Sequence, residues 1–362
     1  MNAPADGMVG RHGPEGGTPS VAVVIPCFQV SAQIPGVLAR IGPTVDRVYC
    51  VDDASTDATA EAIRGVAASD PRVVLVRRPE NGGVGAATMD GYRAAIADGC
   101  RVIVKLDGDG QMDPAIVPVL VRPILSGEAD YVKGNRFQSL EAVRDMPRVR
   151  LWGNAILSFF VKASTGYWTL FDPNNGLTAV ESRVAAALPL DRIHRRYFFE
   201  SDILFRLGTL RARVVEVPMV AYYGDEDSHL SIPDTLLRFP FLHTRNLLKR
   251  LVYNHLLRNF SLATVNLVLG LLLAVGGAAF GAVRWAESAA TGVPATAGTV
   301  MLSALPVLVG IQLILSFLAY DMAQVPDRAV HPVLDPLLEE AGPDAPTRST
   351  RSEQPSPQPP SA

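Results

Sequence analysis

The sequence predicts an α/β domain built on a mainly parallel sheet, followed by amphipathic helices and a two-helix hydrophobic hairpin. Three observations predict it. Short continuous apolar runs alternate with stretches of helical spacing over residues 21–215, the pattern of strands buried on both faces by crossover helices. Acidic clusters fall just past the carboxyl ends of those runs, where open α/β sheets bind ligands. Two charge-free segments of membrane-spanning length lie in the C-terminal third.

Residues 1–20 are rich in Gly and Pro, carry charges and contain no apolar run. They are expected to be a disordered leader without an export signal. The main domain is expected over residues 21–230. Val21-Ala-Val-Val-Ile25 reads as the first strand, stopped by Pro26, and Arg47-Val-Tyr-Cys-Val51 as the second. Arg72-Val-Val-Leu-Val76 is the third and Arg101-Val-Ile-Val-Lys-Leu106 the fourth. Between them, Asp57 to Ala68 and Val84 to Asp98 have helical spacing, with Asp57 and Asn81 near the helix starts as capping residues. The three cysteines, Cys27, Cys50 and Cys100, sit in or beside apolar runs without metal-like spacing, so they read as buried thiols.

The chain has 362 residues, 48% of them apolar, and a formal net charge of -3, which gives no basis for nucleic-acid binding. The apolar excess sits after residue 230. Residues 231–259 read as basic amphipathic juxtamembrane helices, with Arg238, Arg245, Lys249, Arg250 and Arg258 among Leu, Phe and Tyr. Pro240 is expected to divide them. Such a stretch just before a hydrophobic segment suits anionic headgroups. Residues 260–283 and 298–320 are the two expected spans, lying in charge-free runs that reach from Phe260 to Val283 and from Ser288 to Tyr320. The basic flank before the first span, against Arg284 and Glu287 in the connector, is expected to place the main domain in the cytoplasm of a two-span membrane protein. Gly270, Gly276, Gly277 and Gly281 allow close packing within the hairpin or contacts in a homo-oligomer. Residues 322–362 are expected to be a disordered, Pro/Ser-rich cytoplasmic tail.

The strongest chemical signal is Lys105-Leu-Asp-Gly-Asp-Gly-Gln-Met-Asp-Pro114. Asp107 and Asp109 follow the fourth strand on a glycine-rich turn, and two converging carboxylates call for a cation. Mg²⁺ or Mn²⁺ bridging a diphosphate meets that need. A plain turn is the competing reading. Val51-Asp-Asp-Ala-Ser-Thr-Asp57 ends the second strand; Asp52 or Asp53 suits a nucleobase or ribose, while Asp57 also reads as a helix cap. Asn81-Gly-Gly-Val-Gly-Ala-Ala87 is a glycine-rich turn opening a helix, but neither a dinucleotide fingerprint nor a P-loop. A nicotinamide oxidoreductase is therefore disfavoured.

Taken in order, Val24-Ile-Pro-Cys-Phe28, the Asp52/Asp53/Asp57 cluster, Asn81-Gly-Gly-Val-Gly85 and Asp107-Gly-Asp109 with Gln111 resemble the GT-A glycosyltransferases of family 2. Gly134-Asn-Arg136, Asp172-Pro-Asn-Asn-Gly176 and Phe199-Glu-Ser-Asp202 resemble the branch of dolichol-phosphate mannose synthase and other polyprenyl-phosphate glycosyltransferases. The resemblance covers about residues 20–225 and departs at Tyr223-Gly-Asp-Glu-Asp-Ser228.

The resemblance implies a GT-A catalytic domain and a hexosyltransferase that inverts the sugar's configuration. The donor would be a GDP- or UDP-linked sugar and the acceptor a polyprenyl or dolichyl phosphate. Pro26, Phe28, Asp53, Asp57, Gly85 and Asp107 would bind the nucleotide-sugar. Asp107, Asp109 and Gln111 would hold the metal, and Asp109, Glu200 and Asp202 would be catalytic. Arg136 and Lys133 would meet the acceptor phosphate, although Lys133 also reads as a solvated strand-end charge. The basic loop Arg192-Ile-His-Arg-Arg196 would close over the donor or stay mobile, with His194 solvated. Two alternatives remain open: transfer to a saccharide hydroxyl with Glu200 or Asp202 as base, and a non-catalytic membrane scaffold that keeps the fold.

Overall fold

The computed structural model describes residues 20–137, 148–219 and 232–334. Seven strands form one sheet in the order β3-β2-β1-β4-β6-β5-β7. The first four are β1 (Val21–Cys27), β2 (Arg47–Asp52), β3 (Val73–Arg77) and β4 (Val102–Lys105). The pairings among these four are all parallel, as the continuous apolar runs predict. Helices α1 (Ile34–Ala39), α2 (Thr59–Ala67) and α3 (Val84–Ala97) connect them.

The second half of the sheet is mixed. After helix α4 (Val117–Leu125), β5 (Tyr131–Asn135) pairs in parallel with β7 (Val214–Pro218). Strand β6 (Thr178–Glu181) is antiparallel to both β4 and β5. Helices α5 (Arg148–Thr165), α6 (Ser182–Ala187) and α7 (Phe199–Leu210) complete the domain.

Strand alternation builds two cores. Val23, Ile25, Cys50 and Val104 face one layer, whereas Val24, Tyr49, Val51 and Ile103 face the other. The three cysteines are buried free thiols, as expected. Pro26 does not stop β1, because it still pairs with Val51 of β2. On its other side the β4 pairing has already ended at Val24–Lys105, so no ladder hydrogen bond is lost there.

Helix α8 (Ile232–Arg250) runs continuously through Pro240, contrary to the expected division. The change comes at Leu251, where an eight-residue π-helical segment, Leu251–Arg258, takes over. Two long helices follow, α9 (Leu262–Thr291) and α10 (Ala297–Ala323). At 1.5 Å per residue they extend about 45 Å and about 40 Å, enough to cross a bilayer. They pack on each other, with Gly270 close to Gly310 O and Gly277 close to Ser303 O. A Cβ at Gly281 would meet Ser303, whereas one at Gly276 would meet nothing, so three of the four expected glycines serve the hairpin. Leu272 is 67% exposed and Leu302 67%, which is unlike the core helices of a soluble fold.

The hairpin is bolted to the domain by one carboxylate. Asp321, near the end of α10, accepts Trp168 Nε1 at 2.8 Å and Arg250 Nη1 and Nη2 at 2.7 and 2.8 Å. His255 Nε2 lies 3.1 Å away. Arg250 is thus buried in an ion pair and is not part of the lipid-facing basic surface expected for it. Replacing Asp321 with alanine strands that guanidinium, so we expect a loss of about 3–5 kcal/mol. A large fall in the Tm of the detergent-solubilised protein checks this, together with faster proteolysis at the α8–α9 junction.

The expected tail begins later than residue 322. Helix α10 continues to Ala323, and the following segment folds back on the catalytic domain. Asp130 accepts the backbone N–H groups of Val330 and His331, at 2.8 and 2.9 Å, and contacts His331 Nδ1 at 2.8 Å. Val325, Val330 and Leu334 pack against the core beside Tyr131. These apolar side chains and a buried acceptor are what hold a stretch that composition alone reads as disordered. The leader 1–19 and the tail beyond 334 lie outside the described residues, as does Tyr223–Ser228.

Candidate active site

The carboxyl edge of β1, β2 and β4 carries the sequence-predicted donor residues. The turns after β1 and β2 are stitched together: Gln29 N donates to Ser55 Oγ at 3.1 Å, Val30 N to Thr59 Oγ1 at 2.9 Å and Ser31 N to Asp57 Oδ2 at 3.3 Å. This places Pro26, the 45% exposed Phe28, Asp53 and Asp57 along one wall. A Cβ at Gly108 would lie 3.3 Å from Ile25 Cγ2 and 3.5 Å from Pro26 O, so the Asp107–Gly110 turn lies against that wall.

Asp57 acts as a capping group as well as a wall residue. Its Oδ1 accepts Thr59 N at 3.1 Å and Thr59 Oγ1 at 2.6 Å. Desolvation raises its carboxyl, but these bonds and those from Ser31 outweigh it and hold the pKa at about 2. Asp53 is 3% exposed and anchors the glycine-rich turn, accepting Gly82 N at 2.9 Å and Gly83 N at 2.7 Å beside the Arg78 guanidinium. Asp52 is fully buried, and its Oδ1 accepts Ser55 N at 3.0 Å.

Gly85 faces the basic loop. A Cβ there would collide with His194 O and lie 2.7 Å from Phe199 Cβ, and Ala86 N donates to Arg195 O at 3.0 Å. The loop at residues 192–196 is therefore docked over the start of α3.

The neighbouring strands β4, β6, β5 and β7 carry a polar row across the sheet. Register aligns Lys105 with Thr178, Thr178 with Lys133 and Lys133 with Glu216, all on one face. Lys105 is 2% exposed; its Nζ lies 2.6 Å from Asp107 Oδ1 and 3.6 Å from Glu200 Oε1, over the Phe199 ring. Asp109 Oδ1 accepts Gln111 N at 3.0 Å, which closes the turn. Burial pushes the Glu200 carboxyl up, against the downward pull of Lys105 and Lys133. Burial also depresses the Lys105 ammonium, but Asp107 and Glu200 outweigh it and raise its pKa.

Two expected roles need correction. Glu200 faces Lys105 and Asp107, whereas Asp202 lies about 200° further around α7 and faces away. Asp202 accepts His194 N at 3.0 Å and Arg206 Nη2 at 3.3 Å, so it pins the basic loop and does not face the Lys105–Asp107–Glu200 cluster. Lys133 is neither solvated nor open to an acceptor: fully buried, it donates to Asn175 O at 2.7 Å, and burial lowers its pKa. The His194 side chain keeps partial exposure while its backbone N–H holds the docked loop to Asp202.

Arg136 makes a two-pronged pair with Asp172, Nε to Oδ2 at 2.8 Å and Nη2 to Oδ1 at 2.9 Å. Its side chain remains 25% exposed at the edge of the site. Asp172 begins the turn that carries Gly176 over the lysine cluster. A Cβ at Gly176 would lie 2.8 Å from Lys105 Nζ, 2.9 Å from Asp107 Oδ2 and 3.0 Å from Glu200 Oε1. Gly176→Ala is therefore expected to fold with near-wild-type Tm yet lose about a hundredfold in kcat/KM, a loss typical of small displacements in a reacting site. Steady-state kinetics beside a thermal melt checks both halves.

Lys105 and Gly176 are the residues that sequence reasoning left without a role. The available signal was a lone lysine inside an otherwise apolar strand.

A family model described as Glycosyl transferase family 2 matches residues 22–186. The undecaprenyl-phosphate mannosyltransferase of Micrococcus luteus is 31% identical over 202 residues, covering 55% of this chain and 82% of that protein. The UDP-N-acetylglucosamine–dolichyl-phosphate N-acetylglucosaminyltransferase of Methanococcus voltae is 26% identical over 218 residues, covering 57% and 86%. Among solved structures, the UDP complex of glucosyl-3-phosphoglycerate synthase from Mycobacterium tuberculosis superposes with a TM-score of 0.46 at 24% identity, covering 64% of this chain and 80% of that one. The 31% identity to the Micrococcus enzyme over 82% of its length, together with the family match over the domain whose carboxyl edge carries Asp107 and Asp109, makes the chain a member of glycosyltransferase family 2, on the branch that holds the polyprenyl-phosphate glycosyltransferases.

Proposed function

We propose that the protein moves a sugar from a GDP- or UDP-linked donor to a polyprenyl-type lipid phosphate, with inversion, at the cytoplasmic face of a membrane. The observation that carries this reading is the placement of the Lys105–Asp107–Glu200 cluster on a domain fastened, through Asp321, to the foot of an apolar hairpin. A donor site held there meets acceptors that live in the bilayer. The names of the Micrococcus and Methanococcus relatives support the same acceptor class.

The residues fit a divalent cation that shares its ligands with the donor. No group of three or more His, Cys, Asp or Glu side chains suited to a metal occurs among the described residues. Asp107 and Asp109 supply two carboxylates, with the Gln111 side chain on the same turn. Mg²⁺ or Mn²⁺ bound through one or two carboxylates completes its shell with phosphate oxygens and water. When bound it stabilises the charge that develops on the departing nucleoside diphosphate.

The chain's own groups do the rest. Lys105 fixes the rotamer of Asp107 from beneath. Pro26, Phe28 and the Asp53-anchored glycine turn form the wall for base and ribose. Arg136, oriented by Asp172, presents a cation to the acceptor phosphate at the rim. That phosphate is already anionic near neutral pH, its second pKa being about 6, so no general base is required. Glu200 then orients Lys105 and the acceptor.

A second reading, transfer to a saccharide hydroxyl, rests on the raised pKa of Glu200, a property suited to a base. The two readings separate on Glu200→Gln. With lipid phosphate as acceptor, turnover should stay within about tenfold of wild type. A dead amide variant there, or activity only on saccharides, would remove the base-free account.

The membrane side is proposed on the same grounds. Phe241, Leu248, Val252, Leu257 and Phe260 are exposed beside the exposed Arg245 and Lys249, a surface suited to anionic headgroups. Both flanks of the hairpin pack on the catalytic domain, through Arg250 on one side and Val330–His331 on the other. That packing supports an even number of crossings, and the basic flank supports the cytoplasmic side.

A further inference from the structure

A polar cavity of about 280 Å³ lies between the catalytic domain and the hairpin. Gly166, Tyr167 and Arg211 line it from the domain, Asn254 and Arg258 from the π-helical segment, and Tyr320 from α10. It is not the site described above. Glu200 stands in the first turn of α7 and Arg211 just past its last residue, about 16 Å apart along its axis.

Three features of this cavity ask for a ligand. Arg211 follows α7 with φ +59°, a left-handed position that glycine normally fills and that costs an arginine roughly 1 kcal/mol. The backbone does not call for this residue; its side chain lines the cavity. Arg258 is set at the rim by a 2.7 Å bond from Nη1 to Thr209 O. Asn254 Oδ1 is buried without a hydrogen-bond partner, an acceptor that a hydroxyl on a bound ligand would satisfy.

The charge balance selects the ligand's sign. Arg211, Arg250 and Arg258 face a single carboxylate, Asp321, which Arg250 already neutralises. The remaining two cations sit where the hairpin meets the domain. The π-helical turn brings Asn254 and Arg258 into the same wall, and such irregular turns recur at binding sites. Guanidinium groups lining one cavity suit a phosphate, and the amide oxygen suits a hydroxyl borne by the same ligand.

We propose that this cavity binds a phosphate-bearing group, the headgroup of an anionic phospholipid or a free phosphate, separately from donor and acceptor. The proposal rests on the membrane placement of the hairpin and not on the identity of the acceptor. Occupancy would cross-link α7, the π-helical segment and α10, and so set the stability of the anchored form.

The test uses the full-length protein in neutral detergent with added phosphatidylglycerol, phosphatidylcholine or inorganic phosphate, read by thermal melting. The wild type should gain stability from phosphatidylglycerol and not from phosphatidylcholine. Arg211→Gly should keep or raise the basal Tm, because glycine relaxes the left-handed turn, yet bind phosphatidylglycerol about tenfold more weakly. Arg258→Gln should show the same weakening. If inorganic phosphate alone reproduces the shift and Arg211→Gly abolishes it, the cavity reads free phosphate, and the site stands. An equal phosphatidylglycerol shift in wild type and both variants overturns the proposal, as does the absence of any shift with either ligand. Flotation of the wild type on neutral phosphatidylcholine vesicles separates the failures. A protein that floats but shows no shift loses only this site, whereas one that does not float loses the membrane reading too.

Discussion

Asp107→Asn should lower kcat/KM by on the order of 10³-fold while leaving the fold intact. The substitution keeps the shape of the turn and can still accept from Lys105, but it removes the negative charge that a divalent cation needs. Because only Asp107 and Asp109 serve as carboxylates on this turn, halving their charge leaves the donor diphosphate to bind without its counter-ion. Two readouts check this. Sugar transfer should fall to near background, and thermal stabilisation by UDP or GDP with Mn²⁺ should vanish, while the Tm without ligand stays near wild type. Activity within tenfold of wild type would remove the turn from the chemistry. Asp202→Asn makes an informative contrast, since its carboxylate holds His194 N and Arg206 outside the site.

Lys105→Met carries the second large effect, on stability as well as turnover. Lys105 is the cation buried between Asp107 and Glu200, at 2.6 and 3.6 Å. Without it two carboxylates face each other across a small, poorly hydrated space. Breaking a buried pair by removing one partner costs about 3–5 kcal/mol. The partial exposure of both carboxylates, 27% and 19%, puts this case near the lower figure.

The pH dependence has a definite sign. A carboxyl whose folded pKa is raised, as that of Glu200 is, binds its proton more tightly in the folded state. Its stabilising contribution is present below the unfolded pKa and lost as pH rises through the folded value. Removing Lys105 raises Glu200 further, so the variant's deficit should be largest at neutral pH and shrink on acidification toward pH ~5. Denaturant unfolding of wild type and variant across that range measures it. A deficit that grows on acidification would contradict the assignment.

The first half of the fold was legible because β1, β2 and β4 are buried on both faces and the half-buried edge strand β3 keeps the same apolar run. Val21–Cys27, Arg47–Asp52 and Val73–Arg77 are continuous apolar runs, and their ends marked the donor wall. The second half was not. Strand Tyr131–Asn135 contains Lys, Gly and Asn because its polar row serves the site, and Thr178–Glu181 is too short to register. Nothing in local spacing reveals that β6 runs antiparallel.

The candidate site was legible in its acidic turn and not in its support. Asp107 and Asp109 stand out by position past a strand. Lys105 was masked by its apolar neighbours, and Lys133 reads as a strand-end charge although it stands in the middle of β5. Pairing Glu200 with Asp202 overlooked helical periodicity, which sends residues two apart to opposite sides. Asp321 closes the second apolar run and looks like its solvated boundary. Only the fold brings it to Arg250, His255 and Trp168, residues up to 153 positions away.

The most direct test of the account is product analysis. Membranes containing the full-length protein would be supplied with labelled UDP- and GDP-sugars, undecaprenyl phosphate and Mn²⁺, and the lipid extracted. The account predicts a labelled lipid with one of these donors, absent on chelation and absent with Asp107→Asn. Label appearing only on saccharide, or a lipid product that survives both chelation and Asp107→Asn, would contradict it.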